Sequence, residues 1–262
     1  MRRFLRIAAK SVLILILLMF AGLWALNAYI EWHSTHNWGL PTEGQIATVS
    51  STGPTCAADH YQPMQRPYVP LAKIPPLTRK AAILAVDLDF YERLRPDGFF
   101  MGLIHALTHS RTQAEHRLAE PSTITERVAD CLMSFLEPTH HIGHFAPFLA
   151  RRVDRALSRD RILEIFLNET YVRSAYGYGI GNASMVYFSK PLDQLSIDET
   201  ALLAAALKER SSMFERDTDY AREQRNAVIN RMLQAGVVSE ADAATARERP
   251  INRRQLPAAK PQ

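Results

Sequence analysis

Asp87, Asp89 and Glu92 fall within nine residues, AVDLDFYER from Ala85 to Arg93, beside two aromatics in an otherwise apolar neighbourhood. Carboxylates that face one another can move protons, although three acids at this spacing also suit a solvated helix face. A second candidate is PSTITERVADCL, Pro121 to Leu132. Its hydroxyls, on Ser122, Thr123 and Thr125, crowd a helix amino end, where backbone N–H groups favour an anion such as phosphate. The same spacing reads more simply as a cap in which Thr123 and Glu126 reciprocate. Histidines recur four apart in HALTH (His105, His109) and in HHIGH (His140, His141, His144). Zinc needs three or four ligands in a settled hydrogen-bonded surround; no cysteine stands near and no HExxH occurs, so no metal site is assigned. ARRVDRALSRDR, residues 150 to 161, holds five arginines that suit a diphosphate or membrane-surface patch, or more simply a solvated helix face. Neither a Gly-x-Ser-x-Gly elbow, a P-loop nor a Gly-x-Gly-x-x-Gly fingerprint occurs.

The elements that position these residues are mostly helical. A chain of 262 residues can bury a core without disulfide or metal staples. Its 31 basic and 27 acidic side chains leave +4, too mild and dispersed a charge to indicate nucleic acid. Residues 1–10 are basic (Arg2, Arg3, Arg6, Lys10), and residues 11–30 form a run without a formal charge. At about 1.5 Å per residue that run crosses a hydrocarbon core of roughly 30 Å. The basic flank predicts a cytoplasmic amino terminus, with Trp24, Tyr29, Trp32 and Trp38 as an aromatic belt near the far interface. Gly22, Ala25 and Ala28 are poorly placed for signal cleavage, so an uncleaved anchor is expected. Residues 31–70 read as a proline-rich linker, 71–250 as a folded domain and 251–262 as a tail. YVPLAKIPP suggests a short strand or extended segment.

Beyond it, RKAAILAVDLDFYERL and MGLIHALTH carry apolar residues at helical intervals. Helix starts are legible at Thr123, Ser158, Ser196 and Ser239, and a helix end at Gly236. The three glycines of SAYGYGIGNASMVYFSKP predict a tight turn with close backbone packing. Cys56 and Cys131 could pair across a long loop in an oxidising compartment. The apolar helical setting of Cys131 instead favours a buried free thiol.

These segments resemble the peptidoglycan glycosyltransferases of glycosyltransferase family 51 from about Tyr68 to Pro250. YVPLAKIPP with AAILAV is similar to the family's lead-in segment, and PSTIT to its Gly-(Gly/Ala)-Ser-Thr-(Ile/Leu)-Thr. SRDRILEIFLNETYV is similar to its Ser-Lys-x-x-Ile-Leu-Glu-x-Tyr-Leu-Asn-x-x-Tyr, and the later helices match as well. The resemblance implies a mainly α, two-lobed, lysozyme-like domain behind a transmembrane helix, with a groove open to the outer leaflet. Its substrate would be a lipid-linked peptidoglycan precursor, lipid II, or the glycan strand, and its partners cell-wall synthases. It implies no obligatory cofactor, with a divalent cation such as Mg as the family's option. Twelve residues follow Pro250, so no penicillin-binding domain is expected.

The family's charged positions are the ones that depart. Its general-base Glu falls on Val86; its paired Asp remains as Asp87, and the His of Phe-x-x-His falls on Arg93. A lysine expected near the donor diphosphate falls on Asp130, whose charge would oppose a diphosphate by on the order of 1 kcal/mol. The family's Arg-Lys-x-x-Glu falls on Ile142 to Ala146, so its second carboxylate is replaced by Ala146, and a further arginine falls on Pro138. Loss of a positioned base typically costs about two to four powers of ten in rate. The preferred reading is therefore a degenerate member that binds glycan precursor or a partner synthase. The alternatives are an active enzyme and a structural periplasmic interaction protein. In the active reading Asp87 is the base, Glu126 assists, and Arg127, Arg151 or Arg152 restores positive charge. In either reading Ser122, Thr123, Thr125, Glu126 and Arg127 are the expected substrate-binding set.

Overall fold

A computed structural model of the chain describes residues 2–37, 39–49, 68–93, 123–136, 146–169, 179–209 and 218–252. The described residues up to Thr42 belong to one compact unit, and those of Glu43–Arg93 and Pro121–Gln262 to a second. Every regular element among the described residues is a helix, as the mainly α reading requires. The histidines of HALTH and HHIGH, Ser122, Cys56 and Pro138 lie outside the described residues.

In the first unit α1 runs from Arg2 to His36. It begins before the expected span of 11–30 and continues past it, and Lys10–His36 is long and apolar enough to cross a membrane. The predicted linker is also not wholly irregular. It contains α2, Glu43–Val49, which belongs to the second unit.

The second unit is built on α3 (Pro76–Val86), α8 (Ile197–Glu209) and α9 (Thr218–Gln234), which pack on one another. Proline at the first helical position suits α3, since that N–H would have no partner. Its buried residues Thr78, Ala81, Ala82, Ala85 and Val86 follow the spacing of one helical face. Helix α8 is buried continuously from Thr200 to Leu207, as its apolar sequence demands. Arg225 of α9, itself buried, donates to the carbonyls of Arg247 (2.7 Å) and Arg249 (2.6 Å). Those contacts hold the end of α10 (Glu240–Glu248).

Three more helices, α4 (Ile124–Leu136), α5 (Ala146–Ala156) and α6 (Arg159–Glu169), pack together and take α2 against α5. Helix α7 (Ile180–Phe188) touches both α6 and α8. YVPLAKIPP is not a strand: Pro70 and Ile74 are extended around a single 3-10 turn, Leu71–Lys73. The Asn168 side chain supplies what a neighbouring strand would, accepting from the Val69 N–H (2.8 Å) and donating to the Val69 carbonyl (2.9 Å).

The expected helix ends are present. Thr123 and Glu126 form the reciprocal capping box, at 2.9 and 3.2 Å. Ser158 accepts from the Arg161 N–H and Ser239 from the Asp242 N–H. At Ser196 half a box forms, its N–H donating to Glu199 while its hydroxyl goes to Asp198. Gly236, with φ +66°, ends α9 in a Schellman arrangement: Val237 N–H donates to Met232 O and Gly236 N–H to Leu233 O.

Two expectations are corrected. Helix α3 stops at Val86 instead of continuing through Glu92. Asp87 leaves it with φ −154°, and Arg231 of α9 donates to the Leu84 and Ala85 carbonyls at 3.0 Å, satisfying the last turn. Cys131 is disulfide-bonded instead of free.

The predicted tight glycine turn is Gly179, at φ +84° and ψ 148°. A Cβ there would lie 2.5 Å from the Asn168 carbonyl oxygen, whereas one on Gly236 would meet nothing within 4 Å. Gly236→Ala should therefore cost about 1–2 kcal/mol for left-handed backbone alone. Gly179→Ala should cost about 1–3 kcal/mol more through the clash. Thermal unfolding followed by circular dichroism measures both; equal losses would refute the packing account of Gly179.

Candidate functional site

The end of α3, the turn after it and the amino end of α4 meet at Asp87. Its side chain is only 2% exposed. The carboxylate accepts from both terminal nitrogens of Arg93 and from the Ile124 N–H at 3.1 Å. A buried carboxylate is tolerable only when paired and hydrogen-bonded, and here both conditions hold. The turn itself is closed by Phe90 N–H to Asp87 O and by Arg93 N–H to Asp89 O. Phe90 is fully buried, while Leu88, Asp89, Tyr91 and Glu92 face solvent.

Arg159, at the start of α6, extends this arrangement. It donates to Asp154 at 2.8 Å and to the Arg93 carbonyl at 3.1 Å, with its guanidinium 5.3 Å from the Phe90 ring centre. Thr125 is buried and its hydroxyl sits 3.4 Å from Asp154. Aspartates and arginines of the turn after α3, of α5 and of α6 thus neutralise one another within the second unit.

A second cluster docks the lead-in segment on α6. Glu164 accepts from the Tyr68 hydroxyl (2.8 Å), the Leu71 N–H (2.6 Å) and Arg161. Burial pushes the Glu164 carboxyl up, but these three donors together outweigh it and hold the group below the ordinary range. Burial and the bond to Glu164 push the Tyr68 hydroxyl up to about 12, so it remains a donor.

Residues 55–233 match the family model described as Transglycosylase. The chain belongs to the transglycosylase family. It is 35% identical over 199 residues to penicillin-binding protein 1A of Escherichia coli, covering 73% of this chain and 22% of that protein. A Cupriavidus necator protein carrying the transglycosylase description is 31% identical over 177 residues, 67% of this chain and 74% of its own. Penicillin-binding protein 1A of Haemophilus influenzae, a solved structure, aligns with 73% of this chain and 18% of its own at 21% identity and a TM-score of 0.42. The chain spans about a quarter of the length of the penicillin-binding proteins it matches.

In this transglycosylase-family chain several expected site residues are engaged elsewhere. Arg127 is buried and donates to the Leu207 and Lys208 carbonyls, capping the end of α8, so it is not held out for substrate. Thr123 and Glu126 spend their side chains on the cap. Val86 is buried on the packed face of α3. Ala146 is the first residue of α5. Among the described residues no cluster of three or more metal-ligating side chains occurs.

The arginine run is also not a solvated face. Arg152 is buried, Arg155 pairs with Glu43, Arg159 with Asp154 and Arg161 with Glu164. Arg151 and Arg152 have partners of their own, and Asp130 is half-buried on α4 with partners too. Arg93 stands at the family's His position and Arg159 in the arginine run, whereas Asp154, Glu164 and Asn168 were not singled out as functional from sequence. The available signal was Glu164 and Asn168 standing four apart inside the apolar run ILEIFLN, where polar groups need partners.

Two outcomes test these roles. Asp87→Asn keeps the shape but removes the charge, leaving Arg93, itself 38% exposed, to turn to water. Chemical denaturation should show a loss of about 1–3 kcal/mol; unchanged stability would refute the anchor role. Because the folded pKa of Glu164 is lowered, its contribution is complete above the unfolded value of 4.5 and disappears as pH falls through the folded value. Wild-type stability should thus fall below about pH 4.5, and Glu164→Gln should be less stable at neutral pH and flatter across that acid window.

Proposed function

We propose that the protein is a membrane-anchored, peptidoglycan glycosyltransferase-like protein that binds a lipid-linked glycan precursor without polymerising it. The observation that carries this reading is the commitment of Asp87 to Arg93 and the Ile124 N–H. The other two family carboxylate positions are Val86 and Ala146. Deprotonating a sugar hydroxyl needs a carboxylate within hydrogen-bond reach and free to accept the proton. Asp87 already accepts from two donors inside the fold, so using it as a base would break the joint between α3 and α4.

Family membership supports a glycan precursor as the ligand, and α1 supports an anchor that concentrates the protein where a lipid-linked substrate resides. The basic residues preceding the apolar run support a cytoplasmic amino terminus and a periplasmic second unit. The disulfide of Cys131 is in keeping with an oxidising compartment.

The test is binding of lipid II to the full chain reconstituted in nanodiscs, with a matched diphosphate-free lipid as control. Saturable binding selective for lipid II is expected. Equal response to both lipids by a folded, helical protein would overturn the reading. Association of that protein with a cell-wall synthase would then support the interaction-protein alternative.

A further inference from the structure

A half-open cleft of about 380 Å3 lies in the second unit, lined by Leu71, Ala72, Arg79, Asp160, Arg161 and Glu164. Three of its four charged side chains are already committed. Glu164 holds Tyr68, the Leu71 N–H and Arg161. Arg161 also reaches the Tyr68 hydroxyl, and Asp160 accepts from the Tyr91 hydroxyl at 2.7 Å. Arg79 differs. It is half-buried in α3, its side chain makes no hydrogen bond or ion pair with the described residues, and its Nε is buried without a partner.

A guanidinium presents several donors in a fixed planar fork matched to carboxylate and phosphate oxygens, and a buried donor left unsatisfied is unfavourable. Because the neighbouring carboxylates are occupied by other donors, the positive charge of Arg79 is left without a hydrogen-bonding counterpart in the cleft. Leu71 and Ala72 add an apolar wall beside it. None of these six residues belongs to the arrangement around Asp87.

We propose that this cleft is a second binding site, an oxyanion subsite in which the Arg79 guanidinium receives a carboxylate or phosphate group of a small ligand. The group docks on the guanidinium edge, and the side chain shifts enough for the buried Nε–H to share in the contact. Carboxylate and phosphate present the same paired oxygens, and separate titrations distinguish them.

The full chain in detergent micelles, labelled with 15N-arginine, is titrated with sodium propionate and separately with inorganic phosphate, at constant ionic strength. The Arg79 Nε–H resonance, identified by its absence in Arg79→Lys, should move saturably with at least one anion. Ala72→Glu, at an exposed position, sets a competing charge at the cleft mouth and should weaken binding about tenfold or more. Lys80→Gln, exposed on the same helix and outside the cleft, should leave it unchanged. Saturation by propionate alone identifies a carboxylate ligand, by phosphate alone a phosphate ligand. A linear, non-saturating shift with both anions, or an affinity unaffected by Ala72→Glu, overturns the proposal.

Discussion

Removing a carboxylate from water is costly, and the Asp87 side chain is almost wholly removed. The fold supplies it with a guanidinium and a backbone N–H from two different segments. That requirement decides much else. It fixes where α3 stops, since Asp87 must leave the helix to reach the Ile124 N–H. It sets the angle at which the chain turns through Phe90 to Arg93. It also occupies the donors at the start of α4, where Thr123 and Glu126 complete the cap. An N–H at a helix amino end is a natural anion receptor, and in this protein the anion is intramolecular.

The same logic extends to the other cations. Arg127 and Arg231 terminate α8 and α3 by donating to their last carbonyls, and Arg225 does the same for α10. Cations at helix carboxyl ends are favourable because free carbonyls and the helix dipole both present negative charge there. Arg93, Arg159 and Arg161 are spent on acids. Much of the described charge of this transglycosylase-family chain is thereby turned inward, which supports the proposed glycan-binding role without proton transfer.

Local features were readable from sequence alone. Capping at Thr123, Ser158 and Ser239 and the left-handed Gly236 depend on residues within a few positions, and the structure realises each of them. The buried face of α3 follows from spacing, and the family resemblance from ordered motifs. The features that escaped are non-local. No glycine or proline after Val86 signals the end of α3; Asp87 leaves for an N–H of another segment, and the last carbonyls are satisfied by Arg231, 146 residues away from Ala85. The arginine run reads as solvated since its partners Glu43 and Glu164 belong to other segments or turns. Cys131 fits a buried thiol by pattern, and the local pattern carries no sign of its disulfide.

The central claim is the proposal that Asp87, held by Arg93 and the Ile124 N–H, does not activate an acceptor sugar. Incubation of the purified full chain with lipid II in detergent, with glycan strands resolved by gel electrophoresis, tests it most directly. No strands should form under conditions in which an active glycan polymerase, run as a positive control, makes them. Strand formation by the wild type, lost in Asp87→Asn protein whose fold is intact, would contradict the account.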